Sequence, residues 1–205
     1  YTDPIVVITS KPASLTNLSS ATFEFVSNEY NSTFECKLDD NSSWSSCNVS
    51  ITYYNLAEST HTFYVRTTDE AGNLGNTATY SWLTDYTAPT VAFTEYPSER
   101  TNEEIIKFNF TVDETASFTC SFNSSAWYGC DYPISFSNLS EGSYMFKVRA
   151  TDNANNTGSS IDYYWTIDRT KPITTIDSGP TYENGTYFTS NVATFSFSNN
   201  ENAYN

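Results

Sequence analysis

Three kinds of residue in this sequence carry potential chemistry: paired cysteines, asparagines that precede Ser or Thr by two positions, and carboxylates. The cysteines fall in two local pairs, Cys36 with Cys47 and Cys120 with Cys130, and each pair has a Trp (Trp44, Trp127) three residues before its second member. A zinc site would need His or further Cys close by, and neither pair has them. A redox-active dithiol usually has the tighter Cys-x-x-Cys spacing. Free buried thiols fit the count, but a pair repeated within a hairpin is better explained as a disulfide. Each bond would close a loop of about a dozen residues, worth on the order of 3 kcal/mol in the chain-entropy model, and would place the protein outside a reducing cytosol.

Asn-x-Ser/Thr acceptor sites stand at Asn17, Asn31, Asn41, Asn48, Asn109, Asn123, Asn138, Asn155 and Asn184. A chain with 28 Ser, 30 Thr and 21 Asn makes such triplets freely. Set beside the cysteine pairs, they point to N-linked glycans on an exposed, extracellular chain that has few charges of its own to keep it soluble. Asn41 and Asn123 stand out because each lies inside a cysteine-bounded loop.

The carboxylates do not read as an active site. Adjacent carboxylates such as Asp39-Asp40 and Glu103-Glu104 point to opposite faces when they lie on strands, which defeats a two-carboxylate hydrolase. There is one histidine, His61, and no nucleophile elbow, phosphate loop or zinc motif. The sequence is therefore read as non-enzymatic. Nine Lys plus Arg against 24 Asp plus Glu give a net charge of −15, which repels nucleic acid and anionic lipid. No apolar run reaches the roughly 20 residues of a membrane-spanning helix. No leader of the charged-then-apolar kind opens the sequence, so any secretion signal is expected to have been removed or to lie upstream.

The elements that must position these groups come from an internal repeat. Pro4, Pro89 and Pro172 each begin a similar segment, and each is followed eight residues later by another proline, at Pro12, Pro97 and Pro180. FEFVSNEYNSTFEC matches FNFTVDETASFTC, NLAESTHTFYVRTTDEAGN matches NLSEGSYMFKVRATDNANN, and TYSWLTD matches YYWTID. The units are residues 1–85, residues 86–168, and the opening strands of a third at 169–205. Within each unit the apolar period is two, as in Ala21-x-Phe23-x-Phe25 and Phe146-x-Val148-x-Ala150, with turn residues every 8 to 12 positions. That pattern predicts an all-β chain of tandem seven-stranded β-sandwiches arranged head to tail. In unit one the strands are expected at 5–10, 21–27, 33–38, 44–47, 49–53, 62–68 and 77–84. Trp82 and Trp44 are expected as core or edge fillers. Tyr144 is placed to tie a strand corner to nearby backbone, with His61 as its structural substitute in unit one.

The string FECKLDD…W…C…L…HTFYVRTTDEAGN…YSWLTD…AP resembles the Ig-like repeats of very long prokaryotic cell-surface and secreted proteins. The resemblance covers nearly the whole chain and departs at Leu83–Tyr86 in the linker and at Asn155, where the repeat has Gly. It implies a fibronectin type III-like β-sandwich array whose role is that of stalk, spacer or fibre body, without implying an activity. The expected function is a structural segment of an extracellular filament, stalk or appendage. Its partners would be neighbouring modules of the same chain or identical subunits. The alternative is an adhesin that meets glycan or protein through exposed tyrosines. Head-to-tail stacking would bring Glu58 and Asp85 towards Asp113, Glu114, Asp152 and Asn156, a set of hard oxygen donors that suits calcium, although the Asp and Asn members also make ordinary turns. A second joint would gather Glu141, Asp168, Asn200 and Glu201. The opening strands of unit three, expected at 173–178 and 192–198, need further strands, which the sequence assigns to continuation of the same chain in preference to strands donated by a neighbour.

Overall fold

In the computed structural model, residues 3–40, 42–180 and 192–200 are described; Asn41, Asn184 and Glu201 lie outside them. The chain folds as two successive β-sandwiches followed by a strand pair. The first module comprises β1 (Val6–Ser10), β2 (Leu15–Thr16), β3 (Ala21–Ser27), β4 (Thr33–Leu38), β5 (Ser45–Cys47), β6 (Ser50–Tyr53), β7 (Thr60–Thr68) and β8 (Leu74–Thr84). One sheet has the order β1-β3-β6 and the other β2-β8-β7-β4-β5. The second module repeats this with β9 (Val91–Glu95), β10 (Arg100–Thr101), β11 (Ile105–Val112), β12 (Ala116–Phe122), β13 (Tyr128–Cys130), β14 (Ile134–Ser137), β15 (Gly142–Asp152) and β16 (Ile161–Ile167), in sheets β14-β11-β9 and β10-β16-β15-β12-β13.

The eighth named strand has a physical origin in the paired prolines. β1 pairs antiparallel with β3, whereas β2, beyond Pro12, pairs parallel with β8 on the opposite sheet. Proline has no N–H to offer a ladder, so the first strand breaks there and changes sheets. Pro97 makes the same break between β9 and β10. The break is held from across the sandwich: the Tyr80 hydroxyl donates to Pro12 O at 2.9 Å, and the Tyr163 hydroxyl to Pro97 O at 2.6 Å.

Each core is built from the inward residues of alternating strands. In module one Phe23, Phe25, Phe63, Val65 and Trp82 are buried, with Phe23 and Phe63 stacked 4.1 Å apart. Module two has Phe108, Phe110, Phe146, Val148 and Trp165 in the same places. Burying an aromatic or aliphatic side chain of this size contributes about 1.5–3 kcal/mol before the entropy of ordering is subtracted. Trp44, expected in the core or at an edge, lies on the outer face, where the Arg66 guanidinium stacks 4.3 Å from its ring centroid. Trp127 and Arg149 repeat the stack at 4.2 Å. The tyrosine corner forms as Tyr144 Oη donating to Ser140 O at 2.8 Å.

The departure at Asn155 has a backbone reason. Asn155 has φ 71° and Gly72, its counterpart, φ 89°. Asn is among the few residues with a side chain that tolerate the left-handed region. The third unit contributes β17 (Thr174–Ser178) antiparallel to β18 (Ser196–Asn199). The second of these strands begins four residues later than the sequence pattern suggests.

Candidate functional site: module joint and modification surface

The joint between the modules is made from the turn at the end of one sandwich and the linker that enters the next. Glu58, just before β7, accepts hydrogen bonds from Tyr86 N and Thr87 Oγ1, both at 2.7 Å. The Thr87 hydroxyl, with the two backbone amides, holds the Glu58 carboxyl below its usual range. Glu141 repeats the clasp on Arg169 N at 2.7 Å and Thr170 Oγ1 at 3.0 Å, and its carboxyl is likewise depressed, chiefly by the Arg169 amide. The start of each unit is pinned by a second repeated contact. Asn28 Oδ1 accepts Ile5 N at 2.6 Å, Asp113 Oδ1 accepts Thr90 N at 2.8 Å, and Asn200 Oδ1 accepts Ile173 N at 2.5 Å. The Thr90 amide also pulls the Asp113 carboxyl down.

Across the first joint, Asp85, Glu114 and Asp152 each present a carboxylate oxygen within 4.8 Å of the others. Asp152 is set by its own turn, accepting Asn156 N at 2.8 Å and Asn156 Nδ2 at 2.7 Å. Asn156 Nδ2 also reaches Asp85 O at 2.8 Å, which ties the turn of module two to the last residue of module one. Module one builds the same turn from Asp69 and Asn73, so the turn needs no carboxylate from a preceding module. Glu114 is the member whose charge is least favoured. Partial burial pushes its carboxyl up, and Asp85, Asp152, Asp113 and Glu58 add to the push. Of the six expected cation ligands, three therefore converge. Glu58, Asp113 and Asn156 are used in the clasp, the strand pin and the turn. At the second joint Asp168 pairs with Arg100 at 3.6 Å, and Arg169 donates to Leu139 O and Glu103 O, both at 2.8 Å. The clasp was missed in the sequence, although its signal was there: Leu-x-Glu precedes the long strand, and a Thr stands two residues after the final Asp of both units.

The cysteine pairs are joined as Cys36–Cys47 and Cys120–Cys130, with sequence separations of 11 and 10. They staple β4 to β5 and β12 to β13 at the sheet edge. Among the acceptor asparagines, Asn17, Asn31, Asn48, Asn123, Asn138 and Asn155 are exposed and Asn109 is half-buried. Asn31, Asn123, Asn138 and Asn155 have positive φ, so they sit at turns. Asn31 Nδ2 already donates to Glu70 at 3.2 Å. His61 is buried, with Nδ1 2.9 Å from Asp39 Oδ2 and Nε2 2.9 Å from Ala57 O. Ala57 is the counterpart of Ser140, so the imidazole occupies the place of the tyrosine corner.

No protein-family model and no curated protein matches the chain. Similar solved structures include fibronectin(III)-like modules of CbhA from Clostridium thermocellum, at 14% identity and TM-score 0.46, covering 80% of this chain and 94% of that one. Another belongs to a 1.5-MDa bacterial ice-binding adhesin, also at 14% identity and TM-score 0.46, covering 86% of this chain and 70% of that one.

Proposed function

We propose that this chain is a non-enzymatic structural segment of an extracellular filament, stalk or surface appendage, with N-linked glycans on its exposed turns. The observation that carries the reading is the repeated joint: the same glutamate clasp and the same strand pin recur from unit to unit, so the surface the chain elaborates with most care is the one that attaches each module to the next. The two disulfides support an oxidising location, and the exposed acceptor asparagines support modification there. In that modification Nδ2 attacks the anomeric carbon of a lipid-linked sugar phosphate; the bond from that carbon to the phosphate oxygen breaks, and one amide proton is lost. We include calcium in the proposal as a counter-ion to Asp85, Glu114 and Asp152, with water and backbone oxygens completing its six to eight ligands.

Negative-stain images of native material, with intact-mass and non-reducing peptide analysis of the same sample, test this reading. Beaded strands or filaments, a mass above that of the bare polypeptide, and within-module cystines are expected. Compact isolated particles of bare polypeptide mass would overturn it.

A further inference from the structure

The two modules share a strand order, so each serves as a reference for the other. At the turn after β12, Asn123 makes a bridge to the neighbouring long strand: its N–H donates to Met145 O at 2.9 Å, and its Oδ1 accepts Met145 N at 3.0 Å. In module one Asp39 makes the same bridge to Thr62, at 2.7 Å in both directions. Both residues have positive φ, 47° and 57°. The difference lies in the second side-chain atom. Asp39 Oδ2 turns to His61, whereas Asn123 Nδ2 has no hydrogen-bond partner among the described residues, and Asn123-Ser124-Ser125 is an acceptor triplet.

The strand pair beside the turn changes in step. In module one Thr62 stands opposite Ser81, and their hydroxyls bond at 2.9 Å. In module two the same register holds Met145 opposite Tyr164. Tyr164 is 61% exposed on the outer face, where nothing in the core requires it. An exposed Tyr beside Met is an unneeded apolar surface on a fold that closes equally well over Thr and Ser. These residues line an open groove of about 410 Å³ with Asn123, Ser124, Ser143 and Tyr144. A second groove of about 600 Å³ shares Ser143, Tyr144 and Tyr164 and runs on to Asp162 and Glu99.

We propose that this groove is the seat of the first sugars of a glycan carried on Asn123 itself. The fixed Oδ1 aims the carboxamide, Nδ2 carries the sugar, and the apolar C–H face of the ring lies on Tyr164 and Met145. Ser143, bonded to Thr166, lines the groove, and Asp162, bonded to Lys147 and Ser160, lines its continuation, where sugar hydroxyls would add to those bonds. An aromatic ring that is apolar on its face and polar at its tip suits such a surface. The consequence is a glycan laid along the β15–β16 face instead of projecting freely. The inference rests on the glycosylation reading above.

The test uses the full chain as native glycoprotein and as the same sequence made in a host without N-glycosylation, each in two forms: unaltered, and carrying Met145→Thr with Tyr164→Ser, the pair module one already uses. Glycopeptide mass spectrometry locates the sugars, and thermal unfolding compares the four proteins. The glycan is expected to raise the unfolding temperature of the unaltered chain by about 2 °C more than that of the double variant. Proton signals of the first sugar on Asn123 are expected to shift upfield under the Tyr164 ring, and to return in the variant. If other asparagines are occupied while Asn123 is bare, or if both chains gain equally and the sugar signals do not move, the seat is refuted and glycosylation stands. Bare asparagines throughout refute both.

Discussion

A single residue, His61, shows how one structural task is solved twice. In module two the corner before the long strand is tied by a tyrosine hydroxyl to Ser140 O; in module one an imidazole reaches Ala57 O and Asp39 from the same position. Both side chains bring an apolar ring to the core edge and one polar atom to a backbone carbonyl. His61→Tyr is therefore expected to fold with a stability change of about 1 kcal/mol or less, while His61→Ala leaves a void and unpartnered acceptors and costs about 2–4 kcal/mol. Urea unfolding of the two variants checks this, and equal losses would show that the corner bond is not what holds the ring there. The cysteines make a second prediction at this scale. Replacing Cys120 and Cys130 with Ala is expected to lower stability by about 2–5 kcal/mol, because the bond joins β12 to β13, the short edge strand of its sheet among the described residues. A change below half a kcal/mol would mean that the short hairpin is held by its backbone ladder and the Trp127–Arg149 stack without need of the bond.

At the scale of elements, the joint is where charge and packing oppose each other, and pH separates them. Glu114 has its carboxyl raised in the fold. A group whose folded value lies above its unfolded value favours the folded joint below the unfolded value, and loses that contribution as pH rises through the folded one. Glu114 thus works against the joint at neutral pH. Glu114→Gln is expected to raise the unfolding temperature at pH 7 and to leave it unchanged below about pH 4, where the native carboxyl is also neutral. Glu58 and Glu141 run the other way. Their depressed values give stability above the unfolded value that is lost as pH falls through the folded one, so Glu58→Gln is expected to be harmful at pH 7 and neutral in acid. Millimolar calcium should raise the unfolding temperature of the native chain and not of Glu114→Gln; an equal rise in both would remove the ion from the joint. The sequence made the strands legible through alternation, since Phe23, Phe25, Phe63 and Val65 can share a face only in that register. It made the acidic gathering at the joint legible through strand-end geometry. It did not reveal which carboxylates were already taken, because that depends on backbone amides of the linker, and an N–H has no letter in the sequence. The proline sheet switch was visible as a spacing, but it needed the parallel pairing of β2 with β8 to acquire meaning.

For the whole molecule, the third unit presents an apolar face that the first two modules close. Phe195 and Phe197 occupy the positions of Phe23 and Phe25, and of Phe108 and Phe110, all of which are buried. In the third unit Phe195, Phe197 and Ile176 are each at least half exposed among the described residues. In the complete modules that face is closed by the sheet bearing Phe63 and Trp82, or Phe146 and Trp165. A two-stranded pair with such a face is marginal in water and offers an apolar template. Both complete modules already have their own second sheets, so neither provides an empty groove for a donated strand. With that face open among the described residues, a polypeptide of these 205 residues is expected to self-associate through the third unit at micromolar concentration. Changing Phe195 and Phe197 to Ser, at positions where modules one and two play no part, should return it to a monomer without altering the unfolding of either sandwich. Sedimentation equilibrium of the two proteins decides the matter. A 205-residue chain that stays monomeric at high concentration would show that its apolar face is covered from within, and would leave the glutamate clasp as the contact that organises the array.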